Sequence, residues 1–158
     1  MRKPKIYLET TLFNFYFDEN RDAHAATVKL FEEIAAGKYE PFTSRYVVDE
    51  LERDTTEKRE KMMNLIKQYE IPVFEFSDEA ETLADIYVDE GIIPLKYRTD
   101  GLHIAVSAIN DLDMIISMNF QHIVKRKTRF ATASINALNG YRAVEILNPM
   151  EVVDDEES

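Results

Sequence analysis

Short apolar runs alternate with stretches of helical period along this chain. That alternation restricts the possible fold more than any other feature of the sequence. Lys5–Leu8, Glu40–Thr43, Pro72–Phe76, Met114–Ser117 and Ala143–Leu147 read as strands. Between the first two, Asp22–Ala36 puts Thr27, Leu30, Phe31 and Ile34 on one helical face, and Gly37 stops it. Ser44 can cap a helix with Val47, Val48 and Leu51 as its buried stripe. Thr56–Tyr69 carries Met62, Met63, Leu65, Ile66 and Tyr69, and Ser77 can cap a helix that runs to Glu90. Gly91 and Pro94 then break the chain. Asp100–Ile109 is apolar nearly all round, which predicts a deeply packed helix. Met114–Ser117 lacks polar alternation, as expected of a strand buried on both faces. Strand and helix in strict succession predict an α/β fold: three α/β/α layers around a parallel central sheet of about four to five strands. Only Asn14–Arg21, where aromatic and polar residues mix, has no clear period.

With 158 residues and 45% hydrophobic content, the chain can bury one real core. We expect one domain over residues 1–150, followed by an acidic, disordered tail over 151–158. There is no cysteine, which removes disulfides, thiolate metal sites and cysteine nucleophiles. No apolar run approaches the ~20 residues that cross a bilayer. The basic start Met1-Arg2-Lys3-Pro4-Lys5 has no long apolar region behind it, so a signal peptide is not expected. The expectation is a cytoplasmic protein without membrane contact. A net charge of −11, part of it from the tail, argues against indiscriminate nucleic-acid binding. Lys125-Arg126-Lys127-Thr128-Arg129 has the opposite sign: it is either a solvated helix face or a grip on a phosphate backbone.

In open α/β sheets, ligands collect beyond the carboxyl ends of the strands. Glu9 stands there after the first strand, and Asn119 after the fourth. Asp100 opens the helix that feeds that fourth strand. Glu50 borders the Val47/Val48/Leu51 stripe and can lean toward the sheet edge. Each residue also has a structural reading. Glu50 can pair with Arg53 one turn on, Asp100 can sit at a helix start favoured by the dipole, and Asn119 can be a turn residue. Glu9, between a buried strand and Thr10-Thr11, needs a partner in either case. His103 reads as a packed, hydrogen-bonded core residue and His122 as structural or at a rim. No spacing suits Zn²⁺. Phe13, Phe15, Tyr16 and Phe17 form core or interface, or else stack bases. With only four glycines and no glycine-rich phosphate loop, a nucleotide-binding domain is disfavoured.

Taken together, Ile6-Tyr7-Leu8-Glu9-Thr10, the stretch from Ser44 to Glu50-Leu51, Asp100-Gly101-Leu102-His103-Ile104-Ala105 and Ile116-Ser117-Met118-Asn119-Phe120-Gln121-His122-Ile123 resemble a known pattern. The chain is similar, from about Lys5 to Pro149, to PIN-domain proteins, the nuclease family that includes VapC-type toxins of prokaryotic toxin–antitoxin pairs. The resemblance implies a cluster of acids that binds Mg²⁺ or Mn²⁺ and hydrolyses RNA. By position the acids fall on Glu9, Glu50 and Asp100. Asn119 takes the fourth place, and Ser117 takes that of a common hydroxyl residue. Two departures stand out: Glu9 is longer than the usual aspartate, and Asn119 replaces a common aspartate by a carbonyl and an amide.

The expected roles follow from the resemblance. Asp100 and Glu9 bind the metal directly, while Glu50 binds it through water or acts as a base. Asn119 orients water or substrate, with Ser117 beside it on the substrate side. Lys125, Arg126 and Arg98 hold the phosphate backbone. A cognate antitoxin is a further implied partner. A homodimer would form through the aromatic patch and Met62/Met63. The alternative is a PIN-like domain with weakened catalysis that binds RNA or a protein.

Overall fold

The structure, a computed structural model, describes residues 2–153. Five short strands form one sheet: β1 (Lys5–Leu8), β2 (Glu40–Ser44), β3 (Val73–Phe74), β4 (Met114–Ile116) and β5 (Glu145–Leu147). Their spatial order is β3-β2-β1-β4-β5, and every pairing is parallel. The chain builds outward from β1 to β3, then returns to lay β4 on the other side of β1. The strand order therefore reverses between β1 and β4, where Leu8 lies opposite Ile116. This switch point is where an open parallel sheet leaves a crevice beyond its carboxyl ends.

The helices are α1 (Thr10–Phe15), α2 (His24–Ala35), α3 (Arg45–Glu52), α4 (Thr56–Gln68), α5 (Asp78–Asp89), α6 (Arg98–Ile109), α7 (Arg126–Leu138) and α8 (Pro149–Val152). Together with the sheet they make the three-layer α/β/α arrangement the alternation predicts. Ser44 and Ser77 cap α3 and α5 as expected, accepting from the backbone N–H of Val47 and Ala80. The central residues Ile6, Tyr7, Leu8, Ile115 and Ile116 are fully buried, as befits strands covered on both faces. α6 lies deep in the core, every residue from Gly101 to Ala108 being buried. Gly101 makes this possible: a Cβ there would stand 3.3 Å from Ile93 Cδ1 and 3.4 Å from Tyr87 Cδ2, so a side chain would push α6 away from α5.

Four points differ from the sequence reading or sharpen it. α1 lies in the segment after β1, which had no helical assignment; six residues are too few to show a period. Met62 is fully buried in the core and Met63 packs partly against it, so Met62 is not available to a dimer surface. Phe13 is likewise buried, and Tyr16 lies edge-on to Phe31, so much of the aromatic patch is core. Glu151 and Val152, assigned to the tail by charge, belong to α8, where Asn148 and Glu151 close a capping box. The rest of the acidic tail, 154–158, lies outside the described residues. Among the described residues, no helix is long and apolar enough to cross a membrane.

Candidate active site

Strand alternation puts Tyr7 and Glu9 on one face of β1 and its extension. Glu9 follows the strand, and its backbone N–H donates to the Ile116 carbonyl, 3.1 Å away. That bond fixes the acid at the switch point. Its Oε1 accepts from Ser117 Oγ and from Thr11 Oγ1, each at 2.6 Å. Neither bond uses Oε2, which accepts none from the described residues. The side chain is buried at 3% exposure. Burial is the main reason its pKa is raised; the nearby His103 and the two hydroxyls pull the other way without prevailing.

Glu50 reaches the same hollow from α3. Its Oε1 accepts from Thr10 Oγ1 at 2.8 Å and meets His103 Nε2 at 2.5 Å. The expected structural partner, Arg53, contributes only a minor charge effect. Burial pushes the Glu50 carboxyl up, but the His103 hydrogen bond, its charge and Thr10 together outweigh this, and the net shift is down. His103 itself is fully buried. Desolvation would lower its pKa, yet the bond and charge of Glu50, with Glu9 and Asp100 behind, raise it. The imidazolium is thereby favoured. Once protonated, it donates through Nδ1 to the Tyr7 hydroxyl (2.6 Å), which in turn can donate to Ser44 Oγ (2.6 Å).

Asp100 opens α6, one turn before His103. Burial raises its pKa, while His103 and a side-chain hydrogen bond from Asn119 oppose that rise. The Asn119 carbonyl is already used, since Oδ1 accepts the His122 N–H at 3.0 Å. One donor atom from each of Glu9, Glu50 and His103 lies within 4.8 Å of the others. Asp100 stands outside this tight group, though the charges of Glu50 and His103 both reach it.

The structure thus brings Glu9 and Glu50 together with His103; of the other two residues placed there by sequence, Asp100 stands outside the group and feels the charges of Glu50 and His103, and Asn119 is tied by its N–H to Ser117. Two other assignments change. Ser117 is fully buried, donating to Glu9 and accepting the Asn119 N–H at 2.9 Å, so it holds the acid instead of meeting a substrate. Arg98 binds Asp85 Oδ1 at 2.6 Å and Glu81 Oε1 at 3.0 Å, so its guanidinium ties α6 to α5 and is not free for phosphate. Lys125 and Arg126 are exposed and form no ion pair among the described residues. His122 stacks on Tyr97 with ring centroids 4.0 Å apart. His103 is the packed residue expected, but it also links the core to Glu50. Its spacing of three from Asp100 on one helix face was the available signal. Tyr7, Thr10 and Thr11 had no comparable signal.

Carboxylates whose charge is made costly by burial, with oxygens left over, suit a hard divalent cation. Glu9 and Glu50 each offer a carboxylate oxygen to the group they form with His103, and a divalent ion there would offset the charge that burial makes costly.

A parallel sheet with acids gathered at its switch point defines a class of α/β protein with a polar, cation-compatible crevice. Solved structures place that architecture more narrowly. VapBC2 from Rickettsia felis, bound to a DNA fragment from its promoter, matches with a TM-score of 0.56 at 11% identity, over 91% of this chain and 98% of the other. VapC20 from Mycobacterium tuberculosis, a Sarcin-Ricin loop cleaving toxin, matches with a TM-score of 0.55 at 12% identity, over 89% and 98%. The chain has the PIN-like fold of these toxin structures. No protein-family model matches it, and no curated protein matches it by sequence.

Proposed function

We propose that this protein is a Mg²⁺- or Mn²⁺-dependent ribonuclease, the toxin of a toxin–antitoxin pair. The observation that carries the reading is the meeting of Glu9 and Glu50 beside His103 at the switch point of the sheet, with Asp100 one helical turn before His103 and within reach of their charges. The solved neighbours support the biological setting: one is a VapBC assembly and the other a Sarcin-Ricin loop cleaving toxin. A small antitoxin protein is the partner this reading implies.

Glu9, Glu50 and Asp100 would hold the ion. A divalent cation there lowers the pKa of water and offsets charge developing on the phosphate. The protein's own residues do the rest. Ser117 and Thr11 lock Glu9 through Oε1 and leave Oε2 available. His103 keeps Glu50 ionised and oriented, which fits a ligand better than a general base. Asp100, outside the tightest group, would complete the ligand set from the first turn of α6. Asn119 would orient water or substrate. The alternative reading is a PIN-like domain of weakened catalysis that binds RNA or a protein.

The test is cleavage of single-stranded and structured RNAs by purified protein with each ion. Asp100→Asn is expected to reduce the rate by at least about 100-fold. No cleavage with either ion across a broad RNA panel overturns the reading.

A further inference from the structure

Beside the acidic crevice runs a strip of the opposite character. A hollow of about 550 Å³ is lined by Phe15, Arg21, Met118, Phe120 and Met150, among others. A second hollow of about 450 Å³ is lined by Phe120, Lys125, Arg126, Arg129 and Phe130, with Val124. Phe120 lines both, so the two hollows adjoin at its ring. The strip also joins the crevice: the Met118 N–H donates to Thr11 Oγ1 at 2.8 Å, and that hydroxyl donates to Glu9 Oε1.

Two aromatic side chains along it are exposed without need. Phe120 is 47% exposed and Phe130 is 65% exposed. Cations accompany the rings: Arg126 lies 5.4 Å from the Phe130 ring centroid, and Arg21 lies 5.3 Å from that of Phe15. Arg129 pairs with Glu151 at the edge, whereas Lys125 and Arg126 have no ion pair among the described residues. Arg21 likewise pairs with Asp18, but on a chain of net charge −11, Lys125 and Arg126 beside the uncovered rings of Phe120 and Phe130 are a local exception that core packing does not explain.

We propose that this strip is the track for the substrate strand: unpaired RNA that leaves the acidic crevice past Met118, stacks bases on Phe120 and Phe130, and rests its phosphates on Lys125 and Arg126. The proposal builds on the ribonuclease reading and adds a strand class. The charges complement a phosphate backbone, and rings with nearby cations stack any base without reading its sequence. Stacking requires bases that are not paired, so duplex RNA cannot use the rings.

Binding is measured apart from cleavage, with the full chain in EDTA and a labelled twelve-nucleotide oligouridylate, against an RNA duplex of equal length. Single strands are expected to bind more tightly than the duplex. Phe120→Ala and Phe130→Ala are each expected to weaken single-strand binding about ten-fold and leave duplex binding unchanged. Lys125→Ala and Arg126→Ala are each expected to lower the slope of log Kd against log salt by about 0.7. Both aromatic positions are exposed, so the folded state is kept, and circular dichroism checks this. Unchanged single-strand affinity in both phenylalanine variants overturns the track. So does absence of binding to either RNA at about 50 mM salt, which would assign the strip to a protein partner. The two readings fail separately. Metal-dependent cleavage that survives in the phenylalanine variants with unchanged affinity sinks only the track. Stacking losses in a protein that never cleaves sink only the nuclease.

Discussion

The two ends of the parallel sheet treat carboxylates in opposite ways. At the amino ends of β1 and β4, Asp113 is surrounded by donors. Arg2 binds both its oxygens at 2.9 and 3.0 Å, the Lys5 N–H donates at 2.7 Å, and Arg142 adds a contact at 3.4 Å. Its pKa is lowered, chiefly by the Arg2 hydrogen bond. At the carboxyl ends of the same strands, Glu9 has two hydroxyls and one shared histidine, and burial raises its pKa. One end uses a carboxylate to fasten the chain, while the other holds carboxylates in a state the fold alone does not favour. A proton on Glu9 relieves the second arrangement, and so would a cation bound beside it.

The largest effects should come from removing that unbalanced charge. Glu9→Gln keeps an oxygen for Ser117 and Thr11 but abolishes ionisation. Because the folded pKa of Glu9 lies above its ordinary value, its charged form destabilises the fold at neutral pH. We expect cleavage to fall by at least about 100-fold. In EDTA at neutral pH, stability should rise by about 1–3 kcal/mol in urea unfolding. A variant that loses both activity and stability would mean that Glu9 serves the fold, and the contrast between the ends would be lost.

Next in size is the response to the ion itself. Adding Mg²⁺ or Mn²⁺ at about 100 times its Kd should stabilise the wild type by about 2.7 kcal/mol, a rise of several degrees in Tm. Asp113→Asn should keep that rise in full, because the substitution is at the far end of the strands. Glu50→Gln should lose most of it. An equal response in the two variants would show that the ions act on surface charge generally and not in the crevice.

How much of this was legible in the sequence depends on range. The strands, helices α2 to α6 and the two serine caps follow from local period and local donors, and they appear where expected, whereas α7 had no assigned bounds. Glu9, Asp100 and Asn119 were readable because each lies at the end of a strand or the start of a helix, and a parallel sheet gathers those ends. Glu50 was readable only as a residue at the border of an apolar stripe. What could not be read is which side chain holds which. Ser117 and Arg98 look alike in sequence as polar groups beside the site. Only the fold turns the first inward to Glu9 and sends the second to Glu81 and Asp85 on α5. The Tyr7–His103–Glu50 chain joins residues as far as 96 positions apart, and no local pattern carries that information. α1 was missed because tertiary packing, with Leu12 and Phe13 fully buried, decides the conformation of a stretch too short to show a period.

The smallest effect tests the amino end. Asp113→Asn removes the charge that Arg2 and the Lys5 N–H address. Arg2 is 57% exposed, so solvent screens much of the attraction, and a Tm loss of only about 2 °C at neutral pH is expected. The sign of its pH dependence separates the two ends. Asp113 has a folded pKa below its ordinary 3.8, so its contribution is present above that value and disappears as pH falls through the folded pKa. The deficit of Asp113→Asn should therefore shrink below about pH 4 and vanish in stronger acid. Glu9 has a folded pKa above its ordinary 4.5, so metal-free wild type should gain stability as acid first neutralises it, before Asp113 is affected. Urea unfolding of wild type, Glu9→Gln and Asp113→Asn across this range gives the comparison. A metal-free wild type whose stability falls steadily from neutral pH, in parallel with Glu9→Gln, would show that the crevice holds no excess of negative charge for a cation to balance.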